Sequence, residues 1–273
     1  MSIRELLRRF ATFSLVAAGV ILSLPTPALA QPGNSGFTVF APNSKPYGLT
    51  IGEWSARWWA WVLSIPPESN PQLDGIAGKA SSHTGHCDQG QQDPVWFLAG
   101  SYAGTAIRTC QVPLGRSLLF PIFNNPFGAG VGDCQTPGNG GSTIPCSQYQ
   151  NPYETNSPLV GIPALQAAAA DQIQFYNPAM EVTLDGVSLQ SLTSYRAASP
   201  AFSYWLTSDS LLNNVFGYTN PAGLEYPTVS DGYWVMVTPT KPGSHTIRFR
   251  ATSQNPSAPF ALDVTYQLIV TPN

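Results

Sequence analysis

Hydrophobic residues recur along this chain at two different spacings, and each spacing predicts its own kind of element. Ile51, Trp54, Trp58, Trp61 and Ile65 fall on one stripe at helical period, with Val62 at its edge. Thr50 followed three residues later by Glu53 has the form of a capping box, and Pro66-Pro67 ends the run, so a helix is predicted near 51–64. Trp59 lies off the stripe and is the better candidate for an exposed ring, with contact to a second layer as the alternative. A second helix is predicted near 163–176, with Pro163 at its first position, an alanine run from 167 to 170 and Asn177-Pro178 as the stop.

Elsewhere the period is that of a strand. Residues 95–99 are a short apolar run, expected to pair with 105–112 through the turn at 100–104. Residues 117–123 form another apolar strand, in which Pro121 marks an edge or a bend. Residues 180–184 alternate into Asp185-Gly186, a strong two-residue hairpin turn, and continue at Val187 and Leu189. Further strands are predicted at 194–206, at 233–237 and, beyond the Pro242-Gly243 turn, at 245–252. In the last strand Leu262, Val264, Tyr266, Leu268 and Val270 face one way, while Asp263, Thr265 and Gln267 face the other. One buried and one solvated face is the pattern of an antiparallel sandwich. The expected fold is therefore mainly β: an antiparallel β-sandwich with two accessory helices and two local disulfides.

The first thirty residues change this picture by dropping out of it. Arg4, Arg8 and Arg9 precede an apolar run from 10 to 24, and Ala28-Leu29-Ala30 is a small-residue cleavage site, so 1–30 reads as a signal peptide. The run is short of the roughly 20 residues a membrane helix needs. Residues 31–46 read as a flexible leader and 47–273 as a single β-sandwich domain. The protein is expected to be exported, periplasmic or extracellular, with no transmembrane anchor after cleavage.

Composition narrows the function. Charged residues make up 10% of the chain and aromatics 11%, with 24 Gly and 26 Pro, a balance that suits an extracellular β protein. Removing residues 1–30 takes three Arg and one Glu from totals of 12 basic and 15 acidic, which leaves a net charge of −5. The nearest approach to a basic cluster is Arg248 with Arg250, so nucleic acid is not an expected partner. The four cysteines, Cys87, Cys110, Cys134 and Cys146, fit no zinc spacing, and in an oxidising compartment an even count predicts disulfides. Three pairings are possible; Cys87–Cys110 with Cys134–Cys146 is favoured because each closes a local loop of moderate length.

Three stretches carry a resemblance: Gly52-Glu53-Trp54-Ser55-Ala56-Arg57-Trp58-Trp59, Pro94-Val95-Trp96-Phe97-Leu98-Ala99-Gly100, and Arg108-Thr109-Cys110 followed by Val112-Pro113 and Gly115. Together they resemble a family of exported bacterial proteins of unassigned activity. The C-terminal Asp231-Gly232-Tyr233-Trp234 with 242–247 looks like the end of the same family, and is also similar to the final hairpin of immunoglobulin-like sandwiches. The resemblance implies export and a β fold, and hands over no catalytic residues.

The candidate chemistry is sparse. No nucleophile elbow occurs, and His245 reads as a half-buried structural residue in phase with Ile247, Phe249 and Ala251. His83 and His86, beside Cys87 and Asp88, are the one metal-like cluster, but a disulfide at Cys87 removes its softest ligand. No cofactor is expected. For a polysaccharide hydrolase acting through paired carboxylates, Glu225 and Asp209 are the acids that ordinary turn, cap and strand roles leave over. Aromatics are the richer class. Trp59, Tyr204, Trp205, Phe216, Tyr218 and Tyr226 stand as the candidate ligand-binding rings, the last five among Ser, Asn and Thr. Flat rings beside polar side chains suit stacking on a sugar, so the expected function is a non-catalytic binding or interaction module for a glycan or envelope component. The alternatives are an extracellular polysaccharide hydrolase and a structural envelope protein.

Overall fold

The computed structural model describes residues 35–73, 86–92, 94–102, 104–128, 162–216 and 222–272. The stretch read as a signal peptide with its cleavage site, His83, Cys134, Cys146 and Tyr218 lie outside these residues. Two mixed five-stranded sheets pack face to face. In the first, β1 (Phe37–Val39), β8 (Gly223–Pro239), β4 (Ser117–Gly128) and β2 (Val95–Phe97) lie in that order, and β7 (Phe202–Leu206) pairs with the far end of β8. In the second the order is β3 (Gly104–Pro113), β10 (Ala261–Thr271), β9 (Gly243–Thr252), β5 (Ala179–Leu184) and β6 (Val187–Ser188). The fold is mainly β and a sandwich, as its alternating strands predict, but β2 runs parallel to β4 and β3 parallel to β10.

The sandwich core forms because one face of each strand is apolar. Val182, Ile247, Phe249, Val264 and Tyr266 from one sheet meet Leu118, Phe120, Ile122 and Val235 from the other. Phe120 and Phe249 stack with ring centroids 5.1 Å apart. Burying each such side chain stabilises the fold by roughly 1.5–3 kcal/mol.

A third layer covers the outer face of the first sheet. It is α1 (Ile51–Ser64), where Thr50 Oγ1 accepts from the Glu53 amide at 3.1 Å and the Glu53 carboxylate accepts from the Thr50 amide at 2.7 Å. Ile51, Trp54, Trp58, Trp61, Val62 and Ile65 are buried, as their stripe predicts. Trp59 is not on that stripe, yet it is only 2% exposed. Trp59 belongs to a buried cluster that also includes Leu73, Tyr204, Leu206, Leu211 and Trp234, so more of the helix is enclosed than a single apolar stripe indicates. A second helix, α2 (Ile162–Tyr176), packs on β4 and β8, and a short α3 (Leu211–Phe216) follows β7.

Other expectations need correction. The stretch read as a flexible leader contributes β1, because Phe37 and Val39 bury into the sandwich core while the backbone pairs with β8. Residues 95–99 and 105–112 do not form a hairpin. Val95 and Phe97 bury against α1, whereas Ala106, Cys110 and Val112 bury between the sheets, so the chain crosses from one sheet to the other between them. Buried Arg108 ties the crossing, donating to the carbonyl oxygens of Pro71, Ala99 (3.1 Å) and Gly100 (3.0 Å). Pro121 sits at an irregularity in β4, as a bend, but β4 is a central strand. Residues 194–206 give only β7, after a 3₁₀ turn at Leu192–Tyr195. Of the two expected disulfides, Cys87–Cys110 is present with its Cα atoms 6.0 Å apart; the other pair lies outside the described residues.

Candidate functional site

The site is the outer face of the ribbon formed by β7 and the first part of β8. In β7 the side chains alternate: Tyr204 and Leu206 bury against α1, while Ser203 and Trp205 point to solvent. In β8, Leu224 and Tyr226 are exposed and Glu225 between them is half-buried. Registry joins the two patterns. Trp205 lies opposite Leu224, and Tyr204 opposite Glu225, so Trp205 and Leu224 share one face. Tyr226, two residues along β8, is exposed like Leu224 and stands where the β7–β8 register shifts. Trp205 is 60% exposed, Leu224 53% and Tyr226 39%. Trp205 is the one exposed tryptophan among the seven in the chain; Trp54, Trp58, Trp59, Trp61 and Trp234 are buried and Trp96 is partly so. The strand neighbours of Trp205, Tyr204 and Leu206, are buried in the cluster that includes α1, which fixes the backbone that carries the exposed ring.

Not every predicted ring belongs to it. Tyr204 is 8% exposed because strand alternation turns it toward α1. Trp59 is enclosed between α1 and the sheet, edge-on to Trp58 with centroids 5.0 Å apart. Phe216 ends α3, with its side chain outside the description, and Tyr218 lies in the undescribed stretch that follows. Leu224 was not a candidate in the sequence. The alternation of Leu224, Glu225 and Tyr226 carried the signal, but the segment reads as an aromatic loop until β8 is seen to begin at Gly223.

The acids weighed for hydrolysis separate. Glu225 faces the α1 side of the ribbon, opposite to Trp205, and Asp209 lies in the turn after β7. Asp231, which reads as a turn residue, is buried in mid-strand. It accepts from the Arg196 guanidinium at 3.1 and 2.8 Å, and these bonds hold that guanidinium above its ordinary pKa. His245 is buried, as its phase predicts. Its Nδ1 lies 2.8 Å from Asp185 Oδ2 and its Nε2 donates to the Lys241 carbonyl oxygen at 3.0 Å, so both ring nitrogens are engaged within the fold. Asp185 also accepts from the amides of Gly36 and Thr246, at 3.1 and 2.7 Å, which makes it a junction between β1, the β5–β6 turn and β9. Glu181, Asp263, Arg248 and Arg250 form an exposed ion-pair ladder on the second sheet, and the hydrogen bonds from Arg248 hold the Asp263 carboxyl below its usual range. Among the described residues no group of three or more His, Cys, Asp or Glu is placed to hold a metal ion; His86 opens a 3₁₀ turn and His83 is not described.

These features define a β-sandwich with an exposed apolar and aromatic face on one edge ribbon. Comparison with known proteins adds little to that class. No protein family matches the chain by sequence, and no curated protein does. Among solved structures, the cysteine protease inhibitor EhICP2 from Entamoeba histolytica aligns over 65% of this chain and 96% of its own, at 8% identity and a TM-score of 0.22. At that score the alignment carries no argument about fold or function. No helix in the described residues is long and apolar enough to cross a membrane.

Proposed function

We propose that this protein is an exported, non-catalytic binding module that holds a glycan against the face made by Trp205, Leu224 and Tyr226. The observation that carries the reading is the 60% exposure of Trp205 on a ribbon whose other face is locked into the tryptophan-rich α1 layer. A large apolar ring held in water has no folding role to explain its position, and contiguous exposed apolar groups mark interaction sites. Flat rings suit the apolar face of a sugar, and the neighbouring Ser203 hydroxyl supplies a polar contact at the same level of the ribbon. The disulfide agrees with an oxidising compartment, which the signal-like residues 1–30 also predict. Glu225 turns to the α1 side of the ribbon, away from Trp205, which favours binding over carboxylate-pair hydrolysis at this face.

The test is a tryptophan-fluorescence titration and gel-retardation series with soluble polysaccharides. Binding shifts the Trp205 emission. Trp205→Ala weakens retention about tenfold or more, the ~1.4 kcal/mol or more lost with an anchoring ring, and Tyr226→Ala weakens it less. Absence of any shift or retardation across a broad polysaccharide panel overturns the reading.

A further inference from the structure

His245 is enclosed where β1, the β5–β6 turn and β9 meet, and both of its ring nitrogens face acceptors. Its side chain is 1% exposed. Nε2 stands 3.0 Å from the Lys241 carbonyl oxygen, which can only accept, so Nε2 carries a hydrogen. Nδ1 stands 2.8 Å from Asp185 Oδ2. That carboxylate also accepts from the Gly36 amide at 3.1 Å through the same oxygen, and from the Thr246 amide at 2.7 Å through Oδ1, which favours its ionised form. A neutral ring with its hydrogen on Nε2 turns a lone pair toward a carboxylate oxygen, and the other tautomer turns one toward the Lys241 carbonyl. The arrangement is complete only with a hydrogen on each nitrogen. Imidazole is a stronger base than a carboxylate, so the ring carries the extra proton. Among the described residues, Asp185 is the charged side chain in contact with it. Lys241, in the turn before β9, offers its carbonyl, while β1 and β10 place the uncharged Gly36, Phe37 and Leu268 beside it.

We infer that the His245–Asp185 pair is a proton-operated latch on β1: the imidazolium form holds this strand against the sandwich, and loss of the ring proton to solvent loosens it. What the latch holds is short. β1 has three residues, in register with Val237, Thr238 and Pro239 of β8. Gly36, just before it, is tied by its amide to Asp185 and by its carbonyl oxygen to the Thr240 amide and hydroxyl, at 3.0 and 3.1 Å. Phe37 meets the His245 ring edge-on, with centroids 5.1 Å apart, so a ring that turns from Asp185 also withdraws from β1. The sign follows from the proton count. The latched state binds one proton more than the loosened state, so attachment of β1 is strongest on the acid side of neutrality and weakens as pH rises. Histidine is the side chain that changes charge between about pH 5 and 8, which sets the range of the device. Loosening uncovers the edge of β8 over those three residues, a row of backbone groups open to pairing.

The test follows the full chain by NMR from about pH 5.5 to about pH 9, above the range in which carboxylates ordinarily titrate. Nitrogen shifts of the His245 ring report a hydrogen on both nitrogens at the acid end and on one after the transition. The Phe40 and Thr240 amides, which donate to the Met236 and Gly36 carbonyl oxygens, report the attachment of β1. Their hydrogen exchange, corrected for its intrinsic pH dependence, rises about tenfold or more in step with the ring, the scale of one lost charge-assisted hydrogen bond. Amides in the middle of β10 keep their corrected rate. In Asp185→Asn the side-chain amide donates to Nδ1 of a neutral ring, so exchange at Phe40 and Thr240 no longer follows a His245 transition. A wild-type ring already neutral at the acid end overturns the inference. So does exchange at Phe40 and Thr240 that tracks β10 throughout, or an Asp185→Asn protein that keeps the wild-type transition. If Asp185→Asn does not fold, the two wild-type readouts decide by themselves.

Discussion

The same residue type does opposite work at two positions. Trp58 is fully buried, donates from Nε1 to the Leu98 carbonyl oxygen at 3.0 Å, and touches Trp59, Trp61 and Trp234 edge-on. Trp58→Ala is expected to cost about 3–5 kcal/mol. Trp205→Ala, at an exposed ring, should leave stability within about 0.5 kcal/mol while removing binding. Urea unfolding of the two variants checks the contrast, and equal losses would mean that Trp205 is a packing residue after all. Gly36 makes a second prediction at this scale. A Cβ there would stand 2.4 Å from Asp185 Oδ2 and 2.5 Å from the His245 ring, so Gly36→Ala forces the junction apart. A loss of about 1–3 kcal/mol is expected, as for other overpacked sites, and thermal unfolding measures it. Individual residues of this kind are poorly legible in sequence. Nothing around Gly36 announces that Asp185 and His245, more than a hundred residues away, close on it. Trp59 misled for a related reason: periodicity shows one stripe and not how many layers surround a helix.

Elements were more legible, because their signals are local. The capping box of α1, the Asp185-Gly186 turn and the alternation of β10 are each read from a few neighbouring residues and formed where they were expected. Pairing was the weak point. Partners such as β3 with β10 lie far apart in the chain, and alternation tells which face is buried without telling against what. The face of the β7–β8 ribbon was half-visible on the same account: Trp205 and Tyr226 stood out by type, while Tyr204 and Leu224 changed places once strand phase was fixed. The cap of α1 also carries a pH prediction. The Glu53 carboxyl is held below its usual range, first by the Thr50 amide and then by the Thr50 hydroxyl. A carboxyl depressed in the folded state contributes its stability above the unfolded pKa of about 4.3 and loses it as pH falls through the lower, folded value. Wild-type stability should therefore fall more steeply on the acid side than that of Glu53→Gln. Chemical unfolding at a series of pH values from neutral to strongly acidic reads the slopes, and superimposable curves would deny the cap its role.

At the scale of the whole molecule, three layers depend on one another through few links. The Cys87–Cys110 bridge fastens the segment before β2 to β3, across a sequence separation of 23. That segment accepts in turn from both layers, Trp96 Nε1 to the Cys87 carbonyl oxygen at 2.9 Å and Trp61 Nε1 to that of Gln89 at 2.7 Å. Replacing both cysteines by alanine is expected to cost about 3 kcal/mol, the chain-entropy value for a loop of this order. It should also raise hydrogen exchange first at the Trp61 and Trp96 indoles, which a bridge acting on the unfolded chain alone would leave unchanged.

Consider finally the place of β10. It follows the other described strands in the chain, yet it lies between β9 and β3, in register with residues as early as Gly104. Until β10 is in place, β3 is not joined to β9 and the rest of the second sheet. Contacts of such sequence separation are slow to form, on the scale of milliseconds to seconds for β proteins of high contact order. A nascent chain that stops short of β10 therefore leaves β3 without its partner, and truncation before Ala261 should open the sheet rather than trim it.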